Sequence, residues 1–153
     1  MHGAVPGAPL SLPHHNLVAK GDAMEILQPA HMPRPAGFSP GTAARGRTVF
    51  VAGQIGSVPG GGLVPGGFAA QARQALQNIV DVLAAGGARP AHICRMTWFV
   101  TDMQEYVAAR RELGAAYREV IGAHYPAMSV YGTTGLLNPD AKLEVEVTAV
   151  VPD

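Results

Sequence analysis

Glu144, Glu146 and Thr148 occupy alternate positions of the segment Leu143–Val151, and Leu143, Val145, Val147, Ala149 and Val151 fill the places between them. Side chains alternate across a strand, so two carboxylates and a hydroxyl share one face and the apolar residues share the other. Such a face is either a solvated or ion-paired surface or the carboxylate side of a reactive pocket, where an ionised glutamate orients water. The other chemically capable groups read as structural. Cys94, the single cysteine, alternates with Met96, Trp98 and Val100, which predicts a buried, inert thiol. His92 lies on the same side, but two ligands do not make a zinc site. The adjacent His14 and His15 point apart, so no metal and no cofactor are expected. The glycine-rich stretch Pro59–Gly67 lacks the Gly-Lys-Ser/Thr ending of a phosphate cradle and predicts a hairpin loop.

The elements that must position these residues follow from periodicity. Residues 1–24 combine early glycines and prolines with no sustained period, which predicts an arm or tail before a domain over 25–153. Met24 is a candidate natural start. A proline-tolerant edge strand is expected near Phe38–Ala44. Arg47–Gly53 is rich in β-branched residues and ends at Gly53-Gln54-Ile55-Gly56, where glycine permits either close approach to a ligand or a bend or bulge. Phe68–Ala85 has an apolar stripe of Ala72, Ala75, Leu76, Ile79, Val82 and Leu83, with Gln71, Arg73, Gln74, Gln77 and Asp81 largely off it, which predicts a helix stopped by Gly86-Gly87. Ile93–Thr101 is expected to be a strand covered on both faces. Asp102 with Glu105 three residues later opens a second helix that runs to Gly122. Its Arg110, Arg111 and Arg118 read as solvated charges. Tyr125–Tyr131 and Leu143–Val151 are two final strands, with a loop at Asn138-Pro139-Asp140. Two strands, helix, strand, helix and two strands make an α+β domain with both helices on one sheet face.

Composition narrows the partners. The chain has 153 residues, 48% apolar and only 14% charged, a surface suited to being covered in an oligomer. Eleven basic residues balance eleven acidic ones, so the net field draws in neither a nucleic-acid backbone nor an anionic membrane. No apolar run approaches the roughly 18 residues of a membrane span. With one cysteine and no signal-peptide pattern, a cytoplasmic location is expected.

Five segments, in order and spacing, resemble the RidA (YjgF-like) family, also catalogued as L-PSP endoribonucleases. They are Val51–Ile55, Ala69–Asn78, Met96–Asp102, Tyr125–Ala127 and Leu143–Glu146. The resemblance spans about Glu25 to Pro152. It implies a chorismate-mutase-like mixed sheet with two helices on one face, assembled as a homotrimeric barrel with a small-molecule pocket at each subunit interface. It also implies hydrolysis of reactive enamines and imines to a 2-keto acid and ammonia. In that pattern an arginine after the Pro-Ala pair grips a carboxylate, backbone at the Gly-Gln turn holds the substrate, and a glutamate of the last strand orients water.

Carried over residue by residue, Gly53 and Gln54 match the turn and Glu144 matches the glutamate. Met128 stands at the arginine position, Ser129 follows it, Val130 replaces the usual cysteine, and Phe38 takes the place of the first-strand aromatic. A bidentate arginine contact contributes about 1.5–3 kcal/mol that methionine cannot supply. The resulting expectation is an enamine or imine deaminase of altered substrate class, with Glu144 catalytic and Phe38, Gly53, Gln54, Met128, Ser129 and Val130 around the substrate. Arg95, or Arg34 or Arg45 of a neighbouring subunit, is a candidate replacement cation. The alternative is a non-catalytic metabolite-binding or regulatory trimer of the same fold. A third reading is a ribonuclease.

Overall fold

The computed structural model describes residues 24–153. The expected arm, apart from Met24, and the His14–His15 pair lie outside the described residues. Alternating apolar residues place the four longer strands as expected, whereas the three-residue strand Glu25–Leu27 is not among the expected elements. β1 (Glu25–Leu27) pairs antiparallel with β2 (Gly41–Ala43). β3 (Arg47–Gln54), β4 (Ile93–Val100), β5 (Ala127–Gly132) and β6 (Leu143–Val151) form a mixed sheet in the order β3-β6-β4-β5. β6 runs antiparallel to both its neighbours, and β5 runs parallel to β4. The two final strands are therefore not partners, because β4 lies between them. The edge strand expected near Phe38–Ala44 is shorter than predicted, although Ser39 bridges Ala127 just ahead of it. β1 is too short to carry a readable period.

One sheet face is the core. Leu143, Val145 and Ala149 of β6 and Met96 and Val100 of β4 are fully buried, with Val147 and Trp98 nearly so. α1 (Phe68–Ala85) covers β3 and β6 with Ala72, Ala75, Leu76, Ile79 and Leu83. α1 differs from the expected stripe at two positions. Val82 is 40% exposed, whereas Gln71 is only 4% exposed, because the Gln71 amide has non-local backbone partners described below. The predicted second helix is divided at Ala109 into α2 (Met103–Ala108) and α3 (Arg110–Val120). Asp102 caps α2, its Oδ1 accepting from the Gln104 and Glu105 N–H groups at 2.8 and 3.1 Å. α3 packs on α1, so the helices share one face of the sheet and the α+β architecture is the expected one.

At the start of β4 the pairing with β6 shifts between Ile93 and Arg95. Strict alternation put Ile93 on the outer face, but the irregularity lets Ile93 and Cys94 both be buried. The Pro59–Gly67 stretch is the expected hairpin loop. Val58 N–H donates to the Gly62 carbonyl at 3.0 Å, and Ser57 bridges Leu63. Gly60, Gly61 and Gly62 sit at φ of 93°, 96° and 82°, a run that side chains would disfavour.

Candidate functional site

The face of the sheet away from the helices carries the chemistry. Glu144, Glu146 and Thr148 of β6 project there beside Phe99, Thr97 and Arg95 of β4, which pair with them in that order. Phe50, Arg95, Thr97, Glu146 and Thr148 line a shallow depression of about 470 Å³. Phe50 is 77% exposed. Phe99 stacks on Tyr131 of β5 with ring centroids 6.2 Å apart, so an aromatic pair flanks Glu144 from the β4 side. Neither ion pair among the described residues, Arg73–Glu119 and Lys142–Glu105, involves Glu144, Glu146 or Arg95.

On its other side Glu144 meets β3. Val51 pairs with Val147 and Gln54 with Val145, so β3 carries one residue more than β6 across this interval. The strand-end glycine thus sits in a bulge, which interrupts the ladder next to the carboxylate. A Cβ on Gly53 would lie 2.6 and 2.8 Å from Glu144 Cδ and Cγ and would overlap its Oε1. Only glycine leaves the carboxylate where it is. The Gln54 amide turns back to donate to the Ala52 carbonyl at 3.1 Å, which fixes the bulge from within β3.

α1 holds the approaches to both strands. Gln71 Nε2 donates to the Asp140 carbonyl at 3.3 Å and its Oε1 accepts from Lys142 N–H at 2.9 Å, clamping the residues that lead into Glu144. Asn78 Nδ2 donates to the Ile55 and Ser57 carbonyls at 3.1 and 2.9 Å, tying down the turn after Gln54. A Cβ on Gly56 would stand 2.7 Å from Gln71 Cα, so helix and turn are in close contact. Gln71 and Asn78 were legible as part of the Ala69–Asn78 segment, but not as the residues that position Glu144.

Met128, Ser129 and Val130 lie elsewhere. β5 is the opposite edge of the sheet from β3, and β4 separates it from β6. Met128 pairs with Met96, Ser129 with Thr97 and Val130 with Trp98. Met128 and Val130 pack against the helix-side core, whereas Ser129 shares the Glu144 face. Within one copy, therefore, Glu144, Gly53 and Gln54 come together, and Met128 and Val130 do not join them. Arg95 shares the Glu144 face, so it cannot replace a cation at Met128 in the same chain. Phe38, 43% exposed, lines a separate cavity of about 330 Å³ with Arg34, His124 and Tyr125. Ser39 is buried beside it, its Oγ donating to the Tyr125 carbonyl at 2.6 Å. That contact, with the stacking of Tyr125 on Tyr117 and the Tyr117 hydroxyl donating to the His124 carbonyl at 2.7 Å, sets the entry to β5. Cys94 is buried, and burial pushes its thiol pKa up, consistent with an unreactive group.

Comparison with known proteins finds relatives across most of the chain. The family model described as Endoribonuclease L-PSP matches residues 30–151. A bovine 2-iminobutanoate/2-iminopropanoate deaminase is 29% identical over 127 residues, 82% of this chain and 89% of that protein. A RutC family protein of Haemophilus influenzae is 34% identical over 118 residues, 76% of this chain and 90% of its own. Among solved structures, a Rid family protein of unknown function from Yersinia pestis, YyfB, superposes with a TM-score of 0.72 at 32% identity, covering 84% of this chain and 99% of that one. Escherichia coli TdcF with bound serine superposes at 0.61 and 30% identity, covering 83% and 98%. No helix among the described residues is long and apolar enough to cross a membrane.

Proposed function

This chain belongs to the endoribonuclease L-PSP family, and we propose that it hydrolyses an enamine or imine of a substrate class different from that of its carboxylate-binding relatives. The observation that carries the reading is the Glu144 carboxylate seated on Gly53 beside the β3 bulge. A carboxylate held there accepts a hydrogen bond from water and directs its lone pair at the imine carbon. Water adds, the C–N bond breaks, the nitrogen leaves as ammonia and a carbonyl remains. The elements of water balance the step, and no oxidant, reductant or cofactor is required. Orientation of the nucleophile supplies much of such an acceleration.

The complete pocket in this reading is shared between copies. Glu144, Gly53 and Gln54 belong to the β3 side, Met128, Ser129 and Val130 to the β5 side, and a homotrimer that closes β3 of one copy toward β5 of the next joins the two sets. The exposed Phe50 and Tyr131 and the low charge fraction support association through this face. Met128 supplies no guanidinium, which is the basis for an altered substrate class. The apolar pair Met128 and Val130 also favours a second reading, a trimer that binds a metabolite without turnover. Zero net charge lends no electrostatic support to a ribonuclease.

The deciding assay generates imines in situ with an amino-acid oxidase and follows loss of the semicarbazide-trapped species for the wild type, Met128→Arg and Glu144→Gln. Uncharged imines made with an amine oxidase are run beside the amino-acid series. Wild-type turnover abolished by Glu144→Gln is the expected result. Absence of turnover with every imine, together with saturable metabolite binding, would overturn it in favour of the binding trimer.

A further inference from the structure

Within one copy the fold parts Phe38 from Glu144, and the cavity that Phe38 lines has a chemistry of its own. About 330 Å³ are bounded by the loop between β1 and β2 on one side and the turn into β5 on the other, with Ile26, Gln28, Arg34, Phe38, His124 and Tyr125 in the wall. That volume is at the lower end of the range for small-molecule sites. Glu144, Gly53 and Met128 do not line it. Both sides are held in place. His124 donates its Nε2–H to the Ile93 carbonyl at 2.7 Å, since a carbonyl can only accept, and Tyr125 stacks on Tyr117. Across the cavity Gln28 Nε2 spans its loop to the Met32 carbonyl at 2.9 Å, and Ser39 N–H donates to the Pro126 carbonyl at 2.9 Å. A ligand therefore finds walls that are already ordered.

The wall is open to solvent and carries charge of one sign. Arg34 is exposed, and neither ion pair among the described residues uses it. No aspartate or glutamate lines the cavity, so an entering anion meets a guanidinium without a competing carboxylate. Ile26 is 54% and Phe38 43% exposed, apolar surface that an apolar ligand would cover. We propose that this cavity is a second ligand site, separate from the Glu144 face, for a small carboxylate with an aromatic or branched apolar body. Arg34 meets the carboxylate, and Ile26, Phe38 and Tyr125 cover the body. A single planar guanidinium matches one carboxylate, whereas a phosphate dianion would leave a charge unbalanced over apolar walls. Imine turnover, present or absent, does not bear on this site.

The ¹⁵N-labelled full chain is titrated with phenylacetate, with phenylacetamide, which keeps the ring and loses the charge, and with acetate, which keeps the charge and loses the ring. Phenylacetate is expected to bind saturably, with amide shifts centred on Arg34, Phe38, His124 and Tyr125. Phenylacetamide is expected to bind about three- to fivefold more weakly, the size of effect an exposed ion pair gives, and acetate about tenfold or more weakly, for want of apolar contact. Arg34→Gln brings the two phenyl ligands to within about twofold of each other, and added salt narrows the same gap. Phe38→Ala weakens phenylacetate about two- to tenfold, as loss of an aromatic contact does. No saturable binding of phenylacetate, shifts centred on Glu144 and Phe50 instead, phenylacetamide binding as tightly as phenylacetate, or a gap that survives Arg34→Gln overturns the inference. The wild-type titrations decide this even if Phe38→Ala fails to fold.

Discussion

Replacing Gly53 by alanine places one methyl group against Glu144, whose side chain supplies the three atoms nearest to it. Gly53 is not among the glycines at positive φ, so alanine adopts its backbone conformation without strain. The new Cβ would stand 2.6 Å from Glu144 Cδ and 2.8 Å from Cγ, against an optimal carbon separation of about 3.5–4.0 Å. The carboxylate must swing away by about 1 Å, and a misplacement of that size costs on the order of 10²-fold in rate. A rotated Glu144 side chain costs only about 0.5–1.5 kcal/mol, which lowers Tm by roughly 2–5 °C. Gly56→Ala is the control. Its Cβ would meet Gln71 Cα at 2.7 Å and the Gln71 carbonyl oxygen at 2.8 Å. Helix backbone cannot rotate out of the way, so about 1–3 kcal/mol of overpacking goes into stability. The assay pairs imine turnover with thermal unfolding for both variants. Gly53→Ala is expected to match Glu144→Gln in lost turnover while keeping most of its Tm, and Gly56→Ala to show the larger drop in Tm. Turnover by Gly53→Ala within about threefold of wild type would refute the role assigned to the carboxylate's position.

Gln71→Leu keeps approximate volume but strands the Lys142 N–H and the Asp140 carbonyl, two partners of a side chain that is 4% exposed. The expected loss is about 2–3 kcal/mol, read as a lower urea midpoint at unchanged slope, together with faster amide exchange at Lys142; a change below about 0.5 kcal/mol would remove Gln71 as the clamp on β6. The Arg73–Glu119 pair sets an acid-side dependence. The hydrogen bond from Arg73, and then its charge, hold the Glu119 carboxyl below the ordinary carboxylate value. Its folded pKa is therefore below its unfolded one, so the contribution is present above the unfolded value and is lost as pH falls through the folded value. Both groups are solvent-exposed, so the effect is small and salt-screened. Glu119→Gln is expected to unfold at a slightly lower temperature than wild type near neutrality and to converge with it on acidification. A Tm difference that grows toward low pH would contradict the pairing.

The elements governed by local period were legible before any coordinates. Alternation in β6 placed Glu144 and Glu146 opposite Val145 and Val147, and the Asp102 cap opened α2 where expected. What escaped was set by partners far away in the chain. Gln71 reads as polar and therefore outward, yet it is buried because its amide meets backbone 69 and 71 residues away. Ile93 changes side because the pairing with β6 shifts there, a feature without a sequence signature of its own. The break at Ala109 divides a continuous helical pattern with no glycine or proline at or next to it, the glycine of that stretch being Gly114. The contact of Gly53 with Glu144 joins residues 91 positions apart. The sequence resemblance assigned these two residues to one pocket in different roles, the turn backbone holding substrate and the glutamate orienting water; the fold supplies the steric reason that the first is glycine.

The sheet order also separates chemistry from selection. Glu144 sits on β6 facing away from the helices, and Met128 and Val130 sit on β5 facing toward them. Two strand spacings, about 10 Å, and the sheet itself intervene. Within one copy, substitution at Met128 therefore has no direct contact through which to displace Glu144. Stability effects of Met128→Arg and Glu144→Gln are expected to add within about 0.5 kcal/mol, as they do for sites without shared partners. Coupling between them in turnover, beyond what stability carries, must then pass through the substrate or through the facing copy. A double-mutant cycle run on both properties distinguishes the routes: additive stability with coupled turnover is the signature of a pocket completed by two chains, and additivity in both places Met128 outside the pocket.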